Sequence, residues 1–382
     1  MNRQLIASVK ESFETRFGGD PLMIFSPGRI NLIGEHTDYN DGFVFPAAID
    51  KGIVLAIQKS DATCSDAYAL DVEALHSFSL EGLEPLIAGG WQNYVLGVVA
   101  ELQGLGFSLG NFNMVFSGDI PSGAGMSSSA ALENSVVFGL NELFDLGLSK
   151  EQMILISQKA EHNFAGVKCG IMDQYASMFG VKNNALLLDC RTTTAQAFPI
   201  DFKEYGLLLI NTNVKHDLSE SAYNNRRKVC EEVASLIGVK ALRDASLEDL
   251  EHIRNRVTTE DFEKVAYVIE ENTRVGLFSD AIKEEDVSLL GALLYQSHNG
   301  LSTKYRVSCL ELDYLVEMAK KSTAVIGARM MGGGFGGCTI NLVLKSKISD
   351  FVTEVSENYK DTFHKECSVY QVVLSDGTSI IN

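Results

Sequence analysis

The chain has no apolar run of the roughly 20 residues that a bilayer-spanning helix requires, which excludes a helical membrane span. It is short of positive charge. The 32 lysines and arginines against 50 acidic residues leave a net charge of −18, which argues against a nucleic-acid partner and for a soluble protein. Its seven cysteines (Cys64, Cys169, Cys190, Cys230, Cys309, Cys338, Cys367) include no C-x-x-C pair and are odd in number, so buried free thiols in a reducing compartment are expected in place of a disulfide framework or zinc site. The first twenty residues alternate charges through a helical pattern and lack the continuous apolar core of a signal peptide. A cytoplasmic protein is expected. Repeats, low-complexity tracts and clear linkers are also missing.

What is present suffices for an ordinary globular protein of two domains: 382 residues, 46% hydrophobic and 21% charged. Its organising stretch runs from Phe112 to Phe144. An apolar strand pattern (Phe112, Met114, Phe116) leads into a loop with Gly118, Pro121, Gly123 and Gly125, then Ser127, Ser128 and Ser129. Leu132, Val136, Leu140, Leu143 and Phe144 recur at helical spacing, which predicts a helix from about Ser127 to a stop at Gly147. The free amides and dipole of a helix N-terminus attract anions, and glycines let the backbone approach a phosphate. Serine hydroxyls add donors or magnesium ligands. A flexible loop ending in a serine N-cap accounts for the same residues.

A P-loop needs a lysine beside its serine, and none lies between Gly110 and Lys150. A dinucleotide fingerprint needs a third glycine where Ser128 stands. The literal G-x-G-x-x-G at Gly332, Gly334 and Gly337 leads into a strand-like run and does not join a strand to a helix.

Upstream, Arg29, Asn31, Glu35, His36, Thr37, Asp38, Tyr39, Asn40 and Asp41 crowd one polar segment between strand-like ends. Such a cluster suits a polyhydroxylated ligand, whose hydroxyls both donate and accept. A solvated hairpin with a structural Arg–Glu pair is the alternative. Ile53 to Ser60 reads as a strand and Trp91 to Leu105 as a helix, with Trp91, the single tryptophan, expected in the core. Ser149 and Gln152 form a capping box. Asp173 falls in the first turn of a short helix behind Gly170, either as a dipole partner or as a carboxylate held in a cleft.

From about Asn183 strands alternate with long helices. The helix Ser219 to Ile237 carries Tyr223 and a basic run, Arg226 to Lys228, read as a solvated face. Helices from Glu248 to Lys320 look amphipathic and connective, without chemistry. Five glycines between Gly332 and Gly337 imply special dihedrals or a close backbone approach. A strand from Tyr370 to Leu374 closes the chain.

Three segments, PGRINLIGEHTDYNDGFVFPAAID, GDIPSGAGMSSSAALEN and GARMMGGGFGGC, resemble in order the three signature motifs of the kinases named for galactose, homoserine, mevalonate and phosphomevalonate. The GRxNLIGEHTDYN run is similar to that of the galactokinase branch, and the CGIMDQYASMFG and WxNYVxG segments agree with it. The resemblance implies an α/β (α+β) fold with a domain like the second domain of ribosomal protein S5 over residues 1–180 and a ferredoxin-like domain over 181–382, the site lying between them. It implies ATP and Mg2+ as cofactors, galactose as substrate, and no partner beyond small molecules. A monomer is expected.

By the same resemblance, Asp173 would be the base toward the sugar C1 hydroxyl and Arg29 its cationic neighbour. Pro121, Ser122, Gly123, Ala124, Gly125, Met126, Ser127, Ser128 and Ser129 would wrap the phosphates, with Trp91 near the adenine. Ser129 and Glu161 would hold magnesium. Glu35, His36, Thr37, Asp38, Gly170, Asp173 and Tyr223 would surround the sugar, and the loop Gly332 to Gly337 would close over the site. Three positions depart from the pattern: Asp41 for a usual glycine, Met126 for leucine and Met331 for threonine, the last removing a hydroxyl on the sugar side. An N-acetylgalactosamine kinase, another kinase of the family and a non-catalytic sugar sensor are the alternatives.

Overall fold

A computed structural model of the chain describes residues 2–121, 123–215 and 219–381. Helix α1 (Arg3–Phe17) is capped by the Asn2 side chain, which accepts from the amides of Gln4 and Leu5. Strands β1 (Leu22–Asn31), β2 (Phe43–Val44), β3 (Pro46–Lys59), β4 (Ser65–Ala69) and β5 (Ala74–Phe78) follow. Helix α2 (Trp91–Gly104), strand β6 (Phe112–Gly118) and helices α3 (Ser128–Phe144), α4 (Lys150–Ala160) and α5 (Met172–Phe179) complete the first half. The capping box at Ser149 and Gln152 opens α4 as expected.

The second half has β7 (Asn184–Asp189), β8 (Thr194–Pro199), β9 (Tyr205–Lys215), α6 (Ser219–Ile237), α7 (Leu247–His252) and α8 (Thr259–Lys283). Helices α9 (Val287–Thr303) and α10 (Leu310–Lys321), strands β10 (Val325–Met330) and β11 (Gly336–Leu344), and α11 (Ile348–Phe363) come next. Short strands β12 (Ser368–Gln371) and β13 (Ser379–Ile380) end the described chain.

A six-stranded sheet, β13-β1-β3-β6-β4-β5, carries the first half; only β4 and β6 pair in parallel. Residues Ile53 to Ile57 are apolar at every position because β3 is covered on both faces. Val54 and Ala56 pack with Val9 and Phe13 of α1, whereas Ile53, Leu55 and Ile57 face the core built with α2 to α5. The second half folds on a four-stranded antiparallel sheet, β10-β11-β9-β12. Leu208, Ile210 and Val343 of that sheet pack against α10 and α11, while Leu209, Ile340 and Leu342 face a core that also holds Ile30, Phe45, Ala124 and Met126. The two halves therefore share one apolar interior. The phosphate-loop candidate is anchored in it.

Helix α3 begins where periodicity places it but ends at Phe144, three residues before Gly147, because Asp145 adopts φ 53° and its amide bonds to Asn141 O. The boundary expected at 180/181 falls between α5 and β7, yet two pairings cross it. Strand β7 pairs with β2, and β13 returns to the first sheet, Ile24 facing Ile380. The closing strand is correspondingly shorter than the Tyr370–Leu374 pattern: β12 stops at Gln371, and Leu374 bridges Ile49.

The returning segment is tied to the elements that carry Arg29 and Asp173. The buried Thr378 hydroxyl lies 2.9 Å from Ser26 Oγ on β1 and donates to Ser177 O on α5 at 3.0 Å; Ser26 and Ser177 hydroxyls are 3.1 Å apart. Lys150 Nζ donates to Thr378 O and Met178 O at 3.2 Å each. Thr378→Val keeps the shape and takes a partner from the buried Ser26 hydroxyl and the Ser177 carbonyl, so it should lower stability by about 1–3 kcal/mol. An unchanged urea midpoint would contradict this role.

Candidate active site

At the end of β1 the Arg29 guanidinium, 4% exposed, grips Asp173 with two hydrogen bonds, Nε to Oδ1 at 2.8 Å and Nη2 to Oδ2 at 2.7 Å. Its remaining nitrogen Nη1 donates to the carbonyl of Gly125, and the Ser127 hydroxyl donates to Asp173 Oδ2. Burial opposes the charge on Arg29, but Asp173, Glu35 and Asp38 together outweigh it and raise its pKa. Gly28 is required beside this fork: a Cβ there would lie 2.6 Å from Met126 O. The Arg29 amide bonds that carbonyl at 3.0 Å. Sequence elements more than ninety residues apart thus meet at one cation. Asp173 is cleft-held, the second of its two sequence readings.

Glu35 joins the halves. Its Oε1 accepts from Arg329 Nη2 at 3.1 Å and from the Gly332 amide at 2.8 Å. Arg329 is wholly buried and also donates from Nε to Leu32 O at 2.8 Å, so this ion pair is hydrogen-bonded as burial demands. Nothing in the strand-like run that holds Arg329 marks it in the sequence. Beyond it the glycine loop meets the phosphate-loop candidate backbone to backbone. A Cβ on Gly125 would lie 3.2 Å from Met331 O, and one on Gly337 would lie 3.3 Å from Gly123 O. Gly123, Gly125, Gly332 and Gly337 all have φ between 71° and 84°. That is the close approach the five glycines imply.

Between these parts lies a cavity of about 110 Å³. Arg29, Glu35, His36, Asp38, Asp173 and Tyr223, all expected there, line it together with Glu161, Gly332 and Gly333. Unexpected lining residues are Val167, Cys169 and Met172. His36 has φ 63°, a conformation that costs a non-glycine residue energy and turns the ring inward. Burial lowers its pKa to about 3, Arg226 adding to the effect, so the ring is neutral. Burial also pushes the Asp38 carboxyl up to about 7, with the charge of Asp173 second.

Two expected sugar contacts act indirectly. Thr37 does not line the cavity; its hydroxyl lies 2.9 Å from Gly34 O and 2.7 Å from Phe43 O and shares its one proton between these carbonyls, closing the turn before Asp38. A Cβ on Gly170 would lie 2.1 Å from Asp38 Oδ2, so Gly170 makes room for that carboxylate.

The mouth of α3 opens beside Asp173. Ala124 and Met126 are buried in the shared core and hold the loop down, leaving Pro121, Gly123, Gly125 and Ser127 half-buried or exposed and Ser128 exposed at the first helical turn. Ser122 lies outside the described residues. Ser127, φ 59°, makes no side-chain cap, because its hydroxyl is spent on Asp173; the bland N-cap reading fails.

Ser129 Oγ donates to Glu161 Oε1 at 3.0 Å, and Gln174 Nε2 donates to Oε2 of the same carboxylate at 2.8 Å. Burial, then Asp173, raise the Glu161 carboxyl to about 7. A hydroxyl and a buried carboxylate are hard oxygen ligands whose charge a divalent cation would satisfy, so the pair fits magnesium. Among the described residues there is no cluster of three or more His, Cys, Asp and Glu able to cage a metal alone. A cation here would draw its other ligands from phosphate or water.

Trp91 packs edge-on against Phe116 at 5.2 Å and His76 at 6.3 Å, the core role its sequence context predicts. The basic run on α6 is not a plain solvated face. Arg226 donates to Tyr305 O at 2.9 Å and Arg227 to Lys168 O at 2.9 Å, leaving Lys228 exposed. The helices read as connective also reach the site: Tyr267 donates to Glu35 O at 3.1 Å, and Glu271 accepts from the Gly34 amide at 3.0 Å. Amphipathic periodicity carries no sign of either. Asp41, where glycine is usual, takes φ 57° and pairs with Arg191 at 3.3 Å. Met331 is buried in the shared core and its carbonyl lies over Gly125.

Phosphate-loop amides, a polar cavity and a forked carboxylate between two α/β halves define a small-molecule kinase, and the family models for the N-terminal and C-terminal domains of the galactose, homoserine, mevalonate and phosphomevalonate kinases match residues 93–181 and 278–361. A mevalonate kinase of Methanococcus jannaschii shares the fold, with a TM-score of 0.66 at 17% identity over 94% of this chain and 99% of that one. The model described as the galactokinase galactose-binding signature matches residues 11–59. A galactokinase of Thermosipho africanus is 40% identical over 94% of this chain and all of its own length, and one of Fusobacterium nucleatum is 36% identical over 99% of each. Lactococcus lactis galactokinase complexed with galactose is 33% identical, with a TM-score of 0.93 over 98% of this chain and 99% of that one. The chain belongs to the galactokinase family, and ATP is the co-substrate that membership in these kinases implies.

Asp38 is protonated in the folded state up to about pH 7, whereas its ordinary pKa is 3.8. The folded protein then binds more protons than the unfolded one in this window. The Asp38 contribution to the stability of the ligand-free protein is therefore greatest near the low end and is lost as pH rises toward about 7, while the buried neutral His36 contributes in the opposite sense below its ordinary 6.5. Glu161 adds to the Asp38 slope. Urea midpoints of the natural protein and of Asp38→Asn across this range isolate the Asp38 contribution: the variant should gain stability relative to the natural protein as pH rises from about 4 to 7, and a difference that does not change with pH would contradict the burial argument.

Proposed function

We infer that the chain transfers the γ-phosphoryl group of ATP to the C1 hydroxyl of D-galactose, giving galactose 1-phosphate and ADP. The observation that carries this reading is the Arg29–Asp173 fork, which sits against the phosphate loop through Gly125 O and Ser127 and lines the sugar cavity at the same time.

Phosphoryl transfer asks chiefly for positioning and charge stabilisation. The amides from Gly123 to Ser129 and the dipole of α3 bind the triphosphate, with Trp91 near the adenine. Magnesium, held by Ser129 and Glu161, would neutralise phosphate charge. Glu35, His36, Asp38 and Tyr223 hold the sugar through its hydroxyls. Asp173 accepts the proton of the C1 hydroxyl, or steadies it electrostatically, while Arg29 keeps the carboxylate in place and offsets negative charge on the migrating group. Asp38 gives up its proton, or shares it with a sugar hydroxyl, when the cavity fills. Action in the cytoplasm as a monomer belongs to the same proposal, which the scattered free thiols support.

ADP release from Mg-ATP is measured with galactose, N-acetylgalactosamine, glucose and mevalonate in parallel; turnover with galactose is expected. Turnover with mevalonate alone would overturn the sugar assignment, and none with any acceptor would leave a sugar sensor. Asp173→Asn should bind galactose and lose turnover by roughly 10²- to 10⁴-fold. Near-normal turnover would remove Asp173 from the mechanism.

A further inference from the structure

Behind the sugar cavity runs a second layer of polar groups that the phosphoryl transfer does not use. His36 Nδ1 lies 2.7 Å from Tyr39 Oη, which lies 2.7 Å from Tyr305 Oη, and Cys230 Sγ lies 3.5 Å from Tyr305 Oη. His36 is 3% exposed, and Tyr305 and Cys230 are fully buried. The other ring nitrogen, His36 Nε2, is buried and has no hydrogen-bond partner, although the residue lines the cavity. The Tyr305 ring packs at a tilt against Tyr267 and His36, with centroids 5.0 and 4.9 Å away, and its carbonyl accepts from Arg226.

A neutral imidazole has one proton for its two nitrogens, and a hydroxyl has one proton to donate. A row of such groups is therefore directional: each member donates to the next in a single sense. Nδ1 is already engaged by Tyr39, and the cavity that the ring lines is otherwise walled by the carboxylates of Glu35, Asp38, Glu161 and Asp173, so the ring proton is favoured on Nε2, the nitrogen that Tyr39 does not hold. Nδ1 must then accept, Tyr39 must donate to it, and Tyr39, its proton spent, must accept from Tyr305. The Cys230 thiol completes the row by donating to Tyr305.

We propose that Tyr305 is a specificity-determining residue of the sugar site: by holding Tyr39 as a donor it fixes His36 as the Nε2–H tautomer, which makes this corner of the cavity a hydrogen-bond donor that selects an accepting sugar oxygen. The proposal rests on reading the cavity as the galactose site. Tyr305 touches no substrate in this account; it acts through Tyr39 and His36. Without its hydroxyl, Tyr39 is free to accept from Nδ1–H, and Nε2 then turns from donor to acceptor. A buried donor lost from the site costs about 1 kcal/mol of sugar binding, or about fivefold in KM.

The test is nitrogen–proton correlation NMR on the ligand-free protein labelled at histidine, with His36→Gln identifying the signal. The account predicts a single Nε2–H tautomer for His36 in the natural protein, unchanged from about pH 5 to 8 because the ring stays neutral. In Tyr305→Phe the two nitrogen shifts should move toward averaged values while KM for galactose rises about fivefold and kcat stays within about twofold. Cys230→Ala leaves Tyr305 with Tyr39 as its one acceptor in the row, so it should keep the single Nε2–H tautomer; a shift of the proton to Nδ1 in that variant overturns the proposal even if the phenylalanine variant does not fold. A His36 that carries its proton on Nδ1 in the natural protein overturns the proposal, as does a tautomer unchanged in Tyr305→Phe. If His36 behaves as predicted and galactose is not phosphorylated, the functional reading fails and the relay stands.

Discussion

The site depends on one buried cation with three obligations. Arg29 sits at the end of a central strand, out of water, and holds both oxygens of Asp173 and the carbonyl of Gly125. A buried guanidinium is tolerable only when its donors are satisfied and its charge is met, and the planar fork of arginine does both at once. The consequence is geometric. The phosphate loop, the carboxylate helix and the sugar segment cannot move independently, because each contributes a ligand or a wall to the same cation. Ser26 and Ser177 repeat the bond between β1 and α5 one step further on, and Thr378 braces them from the chain end.

Glycine solves the second packing problem. Two loops from different halves lie backbone to backbone, Gly123 and Gly125 under Met331, Gly332 and Gly337, and a Cβ on Gly125, Gly332 or Gly337 would come within 3.2–3.3 Å of a facing carbonyl oxygen. Contact of this kind brings main-chain amides from both halves toward one place, where Glu35 already takes the amide of Gly332. In the proposed reading, a phosphate at the first loop and a sugar beneath the second would lie on either side of this seam. The cavity is markedly acidic, with Glu35, Asp38, Glu161 and Asp173 against Arg29 and Arg329, and its raised carboxyl pKa values at Asp38 and Glu161 are the burial cost expected before a divalent cation and hydroxyl donors arrive.

Much of this is legible in the residues. Strand, glycine loop, serines and apolar periodicity specify the phosphate loop because local chain physics determines each part: left-handed glycines, a helix mouth and a buried stripe. The dense polar segment from Arg29 to Asp41 announces a site because so many donors and acceptors are rarely left between strands without a ligand. What the sequence conceals is partnership at long range. Arg329 reads as one residue of a glycine-rich segment until Glu35 is seen against it, Tyr267 and Glu271 lie on a helix whose amphipathic pattern speaks only of packing, and Tyr305 lies in the connection between α9 and α10. Thr37 and Gly170 sit among cavity-lining residues in sequence, yet one closes a turn and the other leaves space for Asp38. The basic run on α6 looked solvated because charge alone does not show that carbonyls of a neighbouring loop lie within reach.

The central claim is that the catalytic carboxylate is held by a fork and not merely by a positive charge. Arg29→Lys keeps the charge and loses the bidentate geometry together with the third donor to Gly125. Single-turnover ADP release at saturating Mg-ATP and galactose measures what remains. The account predicts a loss of about 10²-fold or more in the transfer rate with galactose still bound; a lysine variant within a few-fold of the natural protein would show that charge alone suffices and would contradict it.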